Sequence, residues 1–560
     1  MKKFFALLLV VLMLLPSIVA CGEEREEPTT SSTPAATTPS SKPSTTPSSK
    51  PSTTPSSKPG TTESSKPGTT ESSKPGTTES SKPATGTSSS TTGPVTPDPI
   101  PITPPPVVTS WTGKTVRILA TTWTGEDPSA PWSQVELTVG PDDWYENTGF
   151  GQTINEAVLK RNEFIKNTYG VTIEWINARG SAISNQIQEA VVGDNEETRY
   201  NIAMPRMYEA QSIVATQCIY NLADQKYISL SQPYYNQASV EAYTISGFTL
   251  FVAGDFSFLD EQTSYLTYYN VALTETDGLK ENFPDLYTLV KEGKWTIDQM
   301  VSLAKLVSKQ VGDPAWDDND IYGYGTANLS RFFQYSGIQQ VSALDGKYVI
   351  TLSDPKVETL IGKLIDITNE KSCRTKWSGD GFTALGNAFF EGRLLFYDEV
   401  IQKSDYMDEQ NDEFKVGLLP SPKLNEAQYS YHTPCSYQSV VMCIPKATSS
   451  RSMSNYFFEV LSYTGNVYIM KAYKDNLRTK LYAETATQSM DIIENYIFPN
   501  LCYDQGYMYG WTGLLNSVQS ESYSSGENKF TAEYEGSISE AAETVGAWNT
   551  AWKYYTDDIE

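Results

Sequence analysis

Aromatic rings and hydrogen-bonding side chains follow several short β-rich runs of this sequence, at the points where the runs end. These residues are Thr122, Trp123, Trp132, Arg206, Tyr208, Asp255, Tyr397 and Asp398. In an open α/β sheet a ligand lies beyond the carboxyl ends of the strands. Aromatic planes stack on the C–H faces of sugars, and carboxylate and guanidinium groups make paired hydrogen bonds with hydroxyls. The pattern therefore indicates a site for a small polyhydroxylated molecule.

A role in the core is the alternative for each ring, because a chain with 11 tryptophans and 35 tyrosines cannot place all of them around one site. Position at a strand end favours ligand contact for Trp123 and Tyr397. The same argument leaves Trp132, Trp144 and Tyr208 evenly divided between ligand contact and packing.

Catalysis through a histidine has one candidate residue, since His432 is the only histidine in the chain. Neither G-x-S-x-G nor H-E-x-x-H surrounds it, and we predict a polar turn residue there. A glycosidase needs only two carboxylates, so the 67 acidic residues leave that alternative open. We assign no catalytic residue.

Four aspartates, Asp313, Asp317, Asp318 and Asp320, crowd one loop and raise the question of a calcium site. The loop lacks the glycine that the sharp turn of a calcium-binding loop requires. We therefore expect a solvated acidic loop, with calcium as the alternative, and predict neither a metal nor another cofactor.

The cysteines beyond residue 21 are Cys218, Cys373, Cys435, Cys443 and Cys502, without C-x-x-C spacing. An odd, scattered set argues against both a disulfide framework and a zinc site. We expect small buried apolar residues, with a Cys435–Cys443 bridge as the open alternative.

Short β-rich runs alternate with helical patterns from Trp111 onward. The predicted strands are TVRIL (115–119), VTIEW (171–175), TLFVAG (249–254), YLTYYN (265–270), RLLFY (393–397), FKVGLL (414–419) and SVVMCIP (439–445). INEAVLKRNEFIKNTYG and MVSLAKLVSKQVG have helical spacing and stop at glycine, and Thr296 with Gln299 forms a capping box before the second. The alternation predicts an α/β chain with largely parallel sheets. The folded part from Trp111 onward is longer than a chain that usually forms a single core, which predicts two lobes.

The net charge of −25 makes nucleic acid and anionic lipid poor partners. Lys2 and Lys3 precede an apolar run that is too short to span a membrane, which is typical of a secretory signal over residues 1–20. Ile18-Val19-Ala20-Cys21 resembles the lipobox of bacterial lipoproteins. The resemblance implies that Cys21 is acylated and holds the chain on the outer face of the cell membrane. Ordinary secretion with an incidental cysteine is the alternative.

An octapeptide repeat, TTPSSKPS and its variants, fills much of the segment 21–110. Frequent proline without an aliphatic face predicts an extended, solvated tether. A tether of this length suits a thick Gram-positive cell wall, and the composition is also compatible with an O-glycosylated stalk.

The order of several motifs is more specific than any one of them. YYNVALTETDGL, LVKEGKWTIDQMVSLAKLV, DIYGYG, FFEGRLLFYDE, FKVGLLPSPKLNEAQ, VVMCIPKATSS and NYFFEVLSYTG follow one another. This series resembles the extracellular solute-binding proteins of family 1, which serve ABC importers and usually carry carbohydrates. The similarity covers most of residues 113–510.

The resemblance implies a two-lobed, type II periplasmic-binding-protein-like fold with a ligand cleft between the lobes. Lobe one would comprise about 113–262 and 419–472, and lobe two about 263–418 and 473–560. Trp511 resembles in position the late aromatic residues that stack on sugars in the family, and Tyr437 either faces the cleft or braces a turn.

The expected function is that of a monomeric, membrane-anchored receptor that delivers an oligosaccharide to the permease subunits of an ABC importer, and not that of an enzyme. A surface polysaccharide-binding protein without a transport role is the first alternative, and a glycosidase is the second.

Overall fold

The computed structural model describes residues 102–122, 151–179, 182–193, 199–276, 278–312, 315–353, 355–377, 381–406, 415–506 and 529–556. All of them belong to one compact unit, Pro99–Glu560. The strands are β1 Thr115–Thr122, β2 Thr172–Arg179, β3 Ile202–Met204, β4 Thr244–Ile245, β5 Phe248–Thr249, β6 Tyr265–Asn270, β7 Tyr322–Gly325, β8 Val341–Leu344, β9 Lys347–Ile350, β10 Cys373–Arg374, β11 Leu394–Val400, β12 Val416–Leu419, β13 Thr433–Pro434 and β14 Leu501–Cys502.

The α-helices pack on and between these strands. They are α1 Gly151–Tyr169, α2 Ala182–Gly193, α3 Ala210–Thr216, α4 Gln237–Ala242, α5 Leu259–Gln262, α6 Val271–Thr274, α7 Leu286–Lys291, α8 Ile297–Val307, α9 Arg331–Tyr335, α10 Lys356–Asn369, α11 Gly381–Phe390, α12 Arg451–Thr464, α13 Lys471–Lys480, α14 Ala486–Ile492 and α15 Phe530–Thr556.

The first sheet has the order β2-β1-β3, and all its strands are parallel. Its centre is Ile118, which is fully buried and pairs with Trp175 on one side and Ile202 on the other. Later segments continue the sheet through isolated antiparallel bridges, Ala203 to Cys443 and Val252 to Met442. The runs TLFVAG and SVVMCIP are predicted as strands. In the structure they join the sheet largely through isolated β-bridges and not as continuous strands.

The second sheet has the order β10-β7-β11-β6-β12. β6 runs antiparallel to both β11 and β12, while β11 is parallel to β7. The prediction of largely parallel sheets is therefore wrong for this sheet. A strand buried on both faces reads as a continuous apolar run in either direction, so the sequence of β6 does not reveal its orientation.

The chain crosses between the two sheets three times. It leaves the first sheet after Gly254 and enters the second at Tyr265, then returns from β12 to the bridge at Val440. After α12 the chain crosses to the second sheet again. The evidence is a hydrogen bond to α14, in which the Ser489 hydroxyl accepts the Leu418 N–H of β12 at 3.2 Å. Two α/β sheets joined by three crossings form the two-lobed, periplasmic-binding-protein-like fold that the sequence predicts. The exact lobe boundaries remain a prediction.

The long helix α15 contacts both parts of the fold. Trp552 donates its indole N–H to Gln211 of α3 at 3.2 Å, and the Asn549 amide donates to the Tyr348 carbonyl of β9 at 2.9 Å. Residues next to the predicted tether are also packed, since the Tyr169 hydroxyl donates to the Pro105 carbonyl at 3.3 Å. The folded part thus begins before Trp111.

Helix α8 begins as predicted and ends early. The Thr296 hydroxyl accepts the Gln299 N–H at 3.3 Å, which is half of the predicted capping box. The helix ends at Val307 and not at Gly312, because Ser308 adopts an extended backbone (φ −64°, ψ 135°).

Glycine is required at position 323 of β7, where a Cβ atom would lie 2.1 Å from the Ala304 Cα of α8.

Candidate functional site

Two of the crossing segments lie side by side between the sheets. Ser264 and Cys435 form an antiparallel bridge, and the Ser436 N–H donates to the Thr263 carbonyl at 3.1 Å. One segment leads into β6 of the second sheet, and the other leads to the Val440 bridge of the first sheet. The segments therefore connect the two sheets, which makes the residues flanking them the candidate site.

On the side of the first sheet, the residues after β3 meet the segment that follows Ser436. The Tyr208 N–H donates to the Tyr437 carbonyl at 3.3 Å, and the two rings meet edge to face with centroids 6.1 Å apart. Tyr437 is 38% exposed, whereas Arg206 is 1% exposed and donates to the Gln438 side chain. Burial raises the pKa of Tyr208, so its hydroxyl stays a hydrogen-bond donor at neutral pH.

On the side of the second sheet, the Arg331 guanidinium of α9 is the centre of a buried network. It lies 3.8 Å from the centroid of the Tyr265 ring and 3.4 Å from a carboxylate oxygen of Asp398. The Tyr335 hydroxyl donates to the other Asp398 oxygen at 2.6 Å. Burial raises the pKa of Asp398 to about 6, and the positive charge of Arg331 opposes that rise.

An exposed ring covers the outer side of this network. Phe382, in the first turn of α11, is 49% exposed, and the Arg331 guanidinium lies 5.9 Å from its centroid. Tyr265, next to the bridged Ser264, connects Arg331 to the crossing segments. A continuous series of contacts thus runs from Phe382 to Tyr437 across the crossing.

Three acidic side chains lie at the first crossing. Burial raises the pKa of Asp255 to about 7 and also raises those of Asp260 and Glu261. The Asn466 amide donates to Asp255, and the Tyr503 hydroxyl donates to Asp260 at 2.9 Å. These carboxyl groups are buried where the chain crosses between the sheets, so they retain their protons to higher pH than exposed acids do.

Solved structures of similar fold include substrate- and sugar-binding proteins. An ABC substrate-binding protein of Listeria monocytogenes in complex with cycloalternan is 13% identical with a TM-score of 0.47, over 77% of this chain and 99% of that one. The cyclic α-maltosyl-1,6-maltose binding protein of Arthrobacter globiformis is 12% identical with a TM-score of 0.49, over 78% and 97%. The galacto-N-biose/lacto-N-biose I-binding protein of Bifidobacterium longum is 9% identical with a TM-score of 0.49, over 79% and 99%. No protein-family model and no curated protein matches the chain.

Tyr397 lies in the hydrophobic core, where its ring is not exposed to a ligand. It is 1% exposed, and its ring centroid lies 4.9 Å from that of Phe389 and 5.9 Å from that of Tyr268. The strand predicted to end at this residue continues to Val400. Tyr397 and Asp398 are therefore inside a paired strand in this structure, where packing accounts for the tyrosine and the Arg331 ion pair for the aspartate.

Several predicted residues lie outside the described part of the chain: Trp123, Trp132, Trp144, Trp511 and the acylation site Cys21. Thr122 is the last residue of β1, at its carboxyl end. Of the remaining predicted residues, Arg206, Tyr208 and Tyr437 come together, and Asp255 lies at the first crossing. Ligand contact by each of them remains a prediction.

Sequence reasoning missed Arg331 and Phe382. Both lie in the first turn of the helix after a short strand, α9 after β7 and α11 after β10, and the sequence predicts neither strand. Glycine in YGYG weakens the strand signal, and two-residue β10 offers no periodicity at all. Both residues become candidates once these strands and the helices that follow them are known.

The acidic loop is more structured than predicted. Asp320 is 1% exposed, and its carboxylate accepts the Asp317 N–H at 2.8 Å and the Val311 N–H at 2.6 Å. Asp318 pairs with Arg374. The expectation of a solvated loop is thus wrong for Asp320, and Asp313 lies outside the described residues. Within the described ranges no cluster of acidic, histidine or cysteine side chains has the arrangement of a metal site.

The five cysteines of the described chain are free thiols, so the Cys435–Cys443 bridge is wrong. Four are buried and Cys502 is half-buried, which confirms the expected apolar role for most of them. Among the helices that the structure describes, none has the length and apolar character needed to cross a membrane.

Proposed function

We propose that this chain is a membrane-anchored extracellular receptor that binds an oligosaccharide between its two sheets and delivers it to an ABC importer. The observation that supports it best is the pair of exposed rings, Tyr437 beside the first sheet and Phe382 beside the second. Rings that belong to different sheets can hold the two faces of a sugar when the sheets approach each other.

Polar groups beside the rings suit hydroxyls. Arg206 and Gln438 adjoin Tyr437, while Arg331 lies behind Phe382. Both guanidinium groups are buried, so Arg206 holds the Gln438 side chain in place and Arg331 is neutralised by Asp398. The partly exposed Gln438 amide is the polar group beside Tyr437 that a ligand can reach. A neutral, hydroxyl-rich ligand matches exposed rings and an uncharged amide better than an anion does.

The anchor and the importer are supported by the sequence. The lipobox at Cys21 would keep the receptor near a permease, and the repeat that follows would let it reach through the wall. The permease subunits of an ABC importer are the proposed partner, and the outer face of the cell membrane is the proposed location.

Isothermal titration of the purified chain against plant and host oligosaccharides tests the proposal. We expect saturable binding of at least one of them, and chromatography after prolonged incubation should recover the bound sugar intact. Binding without turnover is expected because a receptor must release its ligand unchanged. Steady appearance of hydrolysis products would support the glycosidase instead, and no binding across the panel would contradict a carbohydrate receptor.

The transport role has a separate test. Deletion of the gene should abolish saturable uptake of the bound oligosaccharide, and the anchored chain should restore it. Binding that persists in vitro while uptake is unchanged in the deletion strain would identify a surface polysaccharide-binding protein without a transport role.

A further inference from the structure

A cavity of about 240 Å³ lies beside β13, between α9 and the β8–β9 hairpin. It is far larger than the roughly 10–15 Å³ that one water molecule requires. Polar side chains in its wall are Gln334, Gln339, Ser342, Thr351, His432 and Cys502. None of the residues that line it carries a carboxylate, an ammonium or a guanidinium group.

Gln334 lines this cavity and carries an unsatisfied acceptor. The side chain is 3% exposed, and its Oε1 atom has no hydrogen-bond partner among the described residues. A buried amide oxygen without a donor is unfavourable, and such atoms usually meet a bound molecule or ordered water. Rotation of the Gln334 side-chain amide toward the cavity would let a bound molecule supply the missing donor.

Two hydroxyls add further acceptors. The Ser342 hydroxyl donates to the Gln339 side-chain oxygen at 2.7 Å, and the Thr351 hydroxyl donates to the Gln339 carbonyl at 2.6 Å. The two hydroxyl oxygens also lie 3.4 Å apart, within hydrogen-bond reach of each other. Each hydroxyl hydrogen is used within the wall, so each oxygen retains a lone pair to accept a bond from a molecule in the cavity.

His432 completes the wall as a neutral ring. Burial, with the nearby positive charge of Lys356, lowers its pKa, so the imidazole offers one donor and one acceptor at neutral pH. Gly337 makes room for it, since a Cβ there would lie 2.8 Å from the imidazole Nε2 and the backbone φ is +69°. A cation is disfavoured here because Lys356 is near and the lining offers no carboxylate.

We propose that this cavity is a second binding site, which takes one uncharged polyhydroxylated molecule of about the size of a single sugar ring. Hydroxyl groups can donate to Gln334, Ser342 and Thr351 and accept from His432. The site is distinct from the rings at the crossing segments and does not depend on the receptor proposal.

The single histidine of the chain makes a direct test possible. Untagged full-length protein with 13C-labelled histidine gives one imidazole Cε1–H signal, which comes from a residue of the cavity wall. Glucose, myo-inositol and glycerol are titrated at pH 7.5, with acetate and methylammonium as charged probes. We expect a saturable shift with at least one of the uncharged polyols and none with the charged probes.

Gln334→Leu removes the unsatisfied acceptor at similar volume and should weaken that titration at least tenfold without lowering the melting temperature. Ser342→Ala is the second variant and should weaken it in the same direction. Gln232→Leu is the matched control, because the Gln232 Oε1 is likewise without a partner among the described residues but lies outside the cavity. It should titrate like wild type.

Tyr437→Ala should leave the His432 titration unchanged, which separates this site from oligosaccharide binding at the crossing. The proposal is overturned if no polyol shifts the wild-type signal saturably, since the cavity then holds only water. A charged probe that binds as well as the polyols, or a Gln334→Leu protein that titrates like wild type, would also overturn it.

Discussion

Ring exposure separates ligand contact from packing among the aromatic residues near the crossing. Tyr437 and Phe382 are 38% and 49% exposed, whereas Tyr397 and Tyr265 are 1% and 7% exposed. An exposed ring beside fixed donors can stack on a ligand, while a buried ring contributes mainly to stability. Substitutions at the two kinds of position should therefore be distinguishable.

Tyr437→Ala and Phe382→Ala should each weaken binding of the identified oligosaccharide by about 1–3 kcal/mol, which is roughly a 5- to 150-fold rise in Kd. The reason is the loss of one stacking face in each variant. Isothermal titration measures the effect. Tyr429→Ala is the matched control, because Tyr429 is 88% exposed and its ring has no place in the contact series described above. Unchanged affinity in both site variants would remove the two rings from the site.

Tyr397→Ala should lower the free energy of unfolding by about 3–5 kcal/mol, because the buried ring leaves a cavity next to Phe389 and Tyr268. Urea denaturation measures this effect. Tyr397→Phe keeps the ring and should cost far less. A Tyr397→Ala protein with wild-type stability and weakened ligand affinity would instead restore the sequence-based assignment of this residue to the site.

Among the secondary-structure elements, the first crossing between the sheets contains three buried acidic side chains. Asp255 ends the run that leaves the first sheet, and Asp260 and Glu261 belong to α5, the short helix of the crossing. An acid whose pKa rises on folding binds its proton more tightly in the folded state than in the unfolded state. The resulting stability is present at low pH and is lost as pH rises through the folded-state pKa.

The free energy of unfolding should therefore fall as pH rises from about 5 through 7, the folded-state pKa of Asp255. One such group changes it by at most about 1.4 kcal/mol per pH unit. Asp255→Asn should flatten the decrease, measured by urea denaturation at a series of pH values. Asp475→Asn is the control, since its carboxylate is exposed and paired with Lys471. Equal pH dependence in Asp255→Asn and wild type would show that Asp255 is ionised throughout this range.

At the scale of the whole molecule, the three crossings and α15 hold the two sheets in one unit. Trp552 and Asn549 of α15 bond to α3 and β9, so the last helix links segments that lie more than a hundred positions apart in sequence. The segment before this unit is proposed to hold the protein at the cell surface, and that proposal concerns the chain as a whole.

Cys21→Ala should release the protein into the medium, because the acylated residue that would anchor it is lost. Detergent-phase partitioning of cells and medium, followed by immunoblotting, measures the change. Cys502→Ala serves as the control, since Cys502 belongs to the folded unit and should leave anchoring unaffected. A Cys21→Ala protein that stays in the detergent phase as fully as wild type would contradict the lipobox assignment.

The α/β character, the extent of β6 and the start of α8 could be predicted from the sequence, because periodicity, β-branched runs and capping residues are local signals. The sequence also placed Arg206, Tyr208 and Tyr437 among the candidates, although Tyr437 lies far from the other two in sequence. The antiparallel pairing of β6, the burial of Tyr397 and the position of Phe382 near Arg331 could not be predicted from the sequence. These depend on strand pairing and on contacts between distant segments, and a strand boundary wrong by three residues moves a side chain from a sheet edge into the core.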